Sequence, residues 1–169
     1  MLENNRSENC IEYSHGLPHC EHVLLDSFRT LSAARISGND QYVFVARDLL
    51  AEFAGAEVGV KLYHHVVNYM KSLEACTSNP LRVYAKSCAY ICRDEALLLS
   101  LIAGLQNNNK TTSVLCIDSL CCQLCKNRVR EEAETLADYL ISINKPLIPV
   151  PANVIRDILT RDISSPTLQ

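Results

Sequence analysis

Residues 88–105 read CAYICRDEALLLSLIAGL, and the fold turns on what that stretch becomes. Leu97, Leu98, Leu99, Leu101, Ile102 and Leu105 cover nearly every side of a helical wheel. A helix apolar all round belongs inside a fold, with neighbours on several sides. Arg93, Asp94 and Glu95 precede the apolar run and Gln106 to Lys110 follow it, so it is too short and too interrupted for a membrane span. Asp94 and Glu95 suit a first helical turn, where carboxylates meet unpaired N–H groups and the positive end of the dipole. The run Asn107-Asn108-Asn109 tolerates left-handed backbone and suits a helix end. Together these features predict a buried central helix over about 93–106.

Downstream, Val114, Ile117, Cys121 and Leu124 recur at spacings of three, four and three, predicting a helix from the capping residues Thr111–Ser113 to about Cys125. Cys121 lies on that seam and Cys116 points away from it, so Cys121 is expected to be inert and Cys116 reactive. After Asn127, the stripe Val129, Ala133, Leu136, Leu140, Ile143 predicts another helix, closed by Asn144-Lys145-Pro146. Pro149 and Pro151 impose an extended link into a short helix carrying Val154, Ile155, Ile158 and Leu159.

Upstream, Pro18 opens a helix to about Ser37, with Leu24, Phe28 and Leu31 on one face and a stop at Gly38-Asn39-Asp40. Tyr42–Val45 has strand propensity and leads into a helix over 46–54. Leu62, Val66, Tyr69, Met70 and Leu73 line a helix over about 57–75, ended at Thr77-Ser78-Asn79-Pro80. Residues 81–91 alternate imperfectly and could pair with 42–45. The expectation is a mainly α, single-domain bundle of six or seven helices over 18–162, with at most a small two-stranded ribbon, a flexible segment 1–17 and a frayed end 163–169.

With 169 residues, 48% of them hydrophobic, the chain has material for one core and is no disordered polymer. The net charge of −3 and the absence of any basic run argue against nucleic acid or an anionic membrane as partner. The first twenty residues lack a basic stretch followed by an apolar one. The nine cysteines are therefore expected as reduced thiols in the cytoplasm.

Several patterns invite chemistry. Gly104 to Thr111 (GLQNNNKT) departs from a phosphate-binding GxxxxGK[ST] loop by Asn109 in place of the second glycine. Asn puts a side chain where phosphate must approach, and no further parallel strands follow, so a helix–loop–helix join is expected. Cys116, Cys121 and Cys125 miss a plant-type iron–sulfur spacing by one residue. Cys88 and Cys92, with Cys122 and Cys125, could supply four thiolates to zinc, although free cysteine is commonly a small buried hydrophobe. At the N-terminus His15, His19, Cys20 and His22, with Cys10 before them, form a second candidate zinc group. His64 and His65 fall off their helix's main stripe and are expected at its boundary. No GxSxG or HExxH occurs.

The leading expectation is a non-enzymatic cytosolic interaction or regulatory protein acting through a helical surface. Its partner would be another protein or a second copy, engaged through residues 128–160 and above all Val154, Ile155, Ile158 and Leu159. The alternatives are a metal-binding or thiol-based sensor, with zinc the one cofactor entertained, and a helix-turn-helix DNA-binding regulator, which the acidic balance opposes.

Overall fold

The computed structural model describes residues 11–12, 18–76 and 81–163. In chain order these form β1 (Ile11–Glu12), α1 (His19–Ser37), α2 (Gln41–Ala54), α3 (Ala56–Glu74), β2 (Tyr90–Ile91), α4 (Arg93–Gln106), α5 (Lys110–Leu120), α6 (Lys126–Ser142) and α7 (Ala152–Ile163). Over the described residues the fold is a mainly α bundle of seven helices. Helix α4 is its hub, packing against α1, α5, α6 and α7. Leu97, Leu98, Leu101 and Ile102 are fully buried in it, as a helix without a polar face requires. The stripes of α3 (Leu62, Val66, Tyr69, Met70, Leu73) and α6 (Val129, Ala133, Leu136, Leu140) close on the same core. Phe28 meets Tyr69 edge to face, with ring centroids 6.1 Å apart. Among the described residues no helix is long and apolar enough to cross a membrane.

The ribbon exists, but with other partners. Ile11 pairs with Ile91 and Glu12 with Tyr90, antiparallel, while Tyr42–Val45 lies inside α2. Helical period overrides β propensity there: Ala46 and Leu50, four apart, are fully buried, and Tyr42, Phe44 and Val45 turn outward. Arg47 lies over the exposed Phe44 ring, 5.5 Å from its centroid.

The seam expected along α5 is rotated. Its buried residues are Thr112, Ser113, Cys116, Ile117 and Leu120, whereas Val114 is 48% and Leu124 96% exposed. The reason is that two hydroxyls face the core with their hydrogen bonds made internally. Thr112 Oγ1 donates to Val150 O at 3.1 Å and Ser113 Oγ to Asn109 O at 3.0 Å. Cys116, expected to react, is instead completely buried, and burial pushes its thiol up to about 12. The α4–α5 join also settles the GLQNNNKT stretch. Gly104 is helical, and a Cβ there would sit 2.8 Å from Ser113 Oγ, so this glycine serves close helix packing. Asn109 caps α5 through its side chain, accepting from the Thr112 N–H at 3.1 Å.

One buried ion pair fastens the segment before α4. Glu95 Oε1 accepts from Arg29 Nε at 2.8 Å and from the Tyr84 N–H at 2.9 Å. Its Oε2 accepts from Arg29 Nη2 at 3.0 Å and from the Cys92 N–H at 2.9 Å. Arg29 completes its fork on the carbonyls of Cys88 (2.7 Å) and Tyr90 (2.5 Å). Burial alone would lower the Arg29 pKa; the hydrogen bond and charge of Glu95 outweigh it, and the pKa rises.

Candidate metal centre

Helix α3 ends at Glu74, and the chain turns at Ala75 so that Cys76 lies buried beneath the junction of α5 and α6. That junction leaves the helix at Cys121, whose backbone is extended (φ −145°, ψ 158°). A tight turn follows, closed by the Cys125 N–H donating to Cys122 O at 3.1 Å, and Cys125 then stands at the N-cap of α6. The Cys122 N–H donates to Cys76 Sγ at 3.0 Å, and the sulfurs of Cys122 and Cys125 are 3.6 Å apart. All three sulfurs lie within 4.8 Å of one another.

Zinc–sulfur bonds of about 2.3 Å at tetrahedral angles place sulfurs about 3.8 Å apart. The three side chains therefore already have nearly the separation a thiolate-bound ion needs. The electrostatics favour a thiolate as well. The Cys122 thiol is drawn down to about 6, first by its hydrogen bond with Cys76 and then by the backbone N–H and thiol of Cys125. Cys125 is pushed up to about 12, chiefly through its hydrogen bond to Cys122. These opposite shifts describe one shared proton: Cys122 ionises first, and Cys125 holds on while its neighbour is charged. Next to the cluster Cys121 is buried as expected, though it lies past the end of the helix rather than on a helical seam, and its thiol is pushed up to about 11 chiefly by burial. The Lys126 ammonium, 2.6 Å from Asp118, brings a cation to the same junction.

The residues singled out from sequence fall into separate places. Cys122 and Cys125 come together; Cys88 and Cys92 do not join them. Cys92 caps α4, its Sγ donates to Arg82 O at 3.2 Å, and burial pushes its thiol up to about 12. Cys88 gives its carbonyl to Arg29. In the N-terminal group, His15 lies outside the described residues. The His19 ring packs edge-on against Phe53 at 5.3 Å. Cys20 is buried with Sγ 3.4 Å from Lys145 O, its thiol pushed up to about 12 chiefly by burial. His22 Nδ1 is 3.8 Å from Asp26. His65 stacks on Tyr139, centroids 4.6 Å apart, and burial lowers its pKa. On α7, Ile155 is fully buried, Val154 is 39% exposed, and Ile158 and Leu159 are half-buried. The member of the centre that sequence reading missed is Cys76. It lies 46 residues before Cys122, with no local spacing to mark it.

Comparison with protein-family models, curated proteins and solved structures gives no match.

Proposed function

We propose that this is a non-enzymatic, metal-responsive regulatory protein of the reducing cytoplasm, whose Cys76–Cys122–Cys125 centre takes zinc or a similarly thiophilic divalent ion. The observation that carries this reading is the convergence of three sulfurs within 4.8 Å from two distant parts of the chain. Three thiolates satisfy three positions of a tetrahedral ion, and the fourth stays open to water or to a donor from a partner. An ion there ties the end of α3 to the turn that starts α6. That turn also displays Leu124, 96% exposed, so metal occupancy governs how an apolar contact is presented to another protein. Soft thiolate donors select zinc over magnesium or calcium.

The test is metal content of the reduced, purified full chain, followed by titration of the metal-free protein with cobalt(II), whose thiolate charge-transfer bands report sulfur ligation. One equivalent of zinc or cobalt, lost in Cys76→Ser and in Cys122→Ser and kept in Cys92→Ser, is expected. Absence of thiolate charge-transfer bands at micromolar protein with cobalt in excess overturns the reading.

A further inference from the structure

Helix α7 lies across α4 and α5, and beneath it is a cavity of about 200 Å³ bounded by the start of α1, one face of α4 and the linker 147–150. Leu99, Ala103, Leu147, Val154 and Ile158 make its walls apolar; Glu21 and Ser100 bring the polar side chains. Glu21 is the anomaly. It is buried on the first turn of α1, and Oε1 accepts the Ile148 N–H at 2.6 Å. Oε2 is shut off from solvent and has no hydrogen-bond partner. The Lys145 ammonium, on the linker after α6, stacks instead on the Phe53 ring, 4.5 Å from its centroid.

A carboxylate oxygen buried without a donor is costly, and far costlier when charged. The structural bond to Ile148 uses one oxygen and leaves the other demanding a donor, preferably a cationic one. Glu21 is itself among the residues that line the cavity, so with Oε1 held by the Ile148 N–H a donor for Oε2 can be supplied from the lumen. An apolar cavity of about 150 Å³ takes up a benzene-sized molecule, so this one has room for a ring and a short arm. Concave, mainly apolar sites with a few fixed polar groups are the usual form of small-molecule sites.

We propose that this cavity binds a small primary amine with an apolar body about one ring in size, its ammonium donating to Glu21 Oε2. Val154 and Ile158, read from sequence as a face for a partner chain, here form walls of the site. The proposal is independent of the cysteine centre, which none of the lining residues joins.

The test titrates the full chain with 2-phenylethylamine and with its neutral isostere 2-phenylethanol, followed by calorimetry and amide chemical shifts. The amine is expected to bind at least tenfold tighter than the alcohol. Glu21→Gln should bring it down to the alcohol's level, and Ala96→Phe, which fills the cavity from α4, should abolish both. Equal affinity for the two compounds, amine binding unchanged in Glu21→Gln, or no binding of either at millimolar concentration overturns the proposal. Should Glu21→Gln not fold, Ala96→Phe decides: amine binding that persists in that folded variant overturns it, and loss confined to the cavity-lining shifts supports it.

Discussion

Replacing Arg29 by Met should destabilise the protein far more than its single position suggests. The guanidinium is buried against a fully buried carboxylate and makes two bonds to Glu95 and two to the carbonyls of Cys88 and Tyr90. Met keeps most of the apolar stem, so the loss is mainly polar. Glu95 would keep the Tyr84 and Cys92 N–H groups but carry an uncompensated charge in the core. Breaking a buried pair from one side costs about 3–5 kcal/mol, a large share of the roughly 5–15 kcal/mol that a domain has. With a urea dependence of about 2 kcal/mol per molar, the midpoint should fall by about 2 M. Urea unfolding followed by circular dichroism measures it. The double variant Arg29→Met, Glu95→Leu removes both charges and should recover a good part of the loss. A cost under about 1 kcal/mol for Arg29→Met, or a double variant worse than the sum of the singles, would refute the account of this pair as the fastening of the 82–92 segment.

Leu101→Ala opens a cavity in the hub helix and should cost about 2–5 kcal/mol; hydrogen exchange should rank the α4 amides among the slowest, and fast exchange there would contradict the packing. The thiolate is the reactive form, so alkylation of Cys122 by iodoacetamide should rise through a pH of about 6 rather than the ordinary 9.0, while Cys116, held near 12, stays unmodified in the folded chain. Mass mapping of the alkylated sites across pH checks this. The sign for stability belongs to the pair: it rises with pH from about 6 to about 9, where Cys122 ionises only in the folded chain, and falls again from about 9 towards about 12, where folded Cys125 keeps the proton the unfolded chain loses.

The bundle was legible from sequence wherever one apolar stripe faced one core. The stripes of α3 and of α6 from Val129 to Leu140 depend only on helical period, the run in α4 only on its being apolar all round, and these are buried as the pattern requires, while Ile143 lies half-buried past the end of α6. Sequence failed where local chemistry hides burial. Thr112 and Ser113 read as capping polar residues, yet their internal hydrogen bonds place them in the core and turn Val114 outward. Tyr42–Val45 read as strand because β-branched and aromatic residues cluster there, but Ala46 and Leu50 set the period. The candidate metal centre was half visible. The Cys122–Cys125 spacing is local and survives in the fold, whereas Cys76 reaches it only through the packing of α3 on α6, which no spacing along the chain encodes.

The 46 residues between Cys76 and Cys122 carry a consequence of their own. An ion bridging the two would close a covalent-like ring in the unfolded chain, and a ring of that length lowers the unfolded state's entropy by an amount worth about 4 kcal/mol at room temperature. The ring encloses the whole of α4, the helix on which four others rest. Occupancy of the cysteines would then act on the denatured ensemble as much as on the native surface. Chelation would loosen the centre of the bundle from its rim inward, and the lifetime of the folded state would become a readout of metal supply.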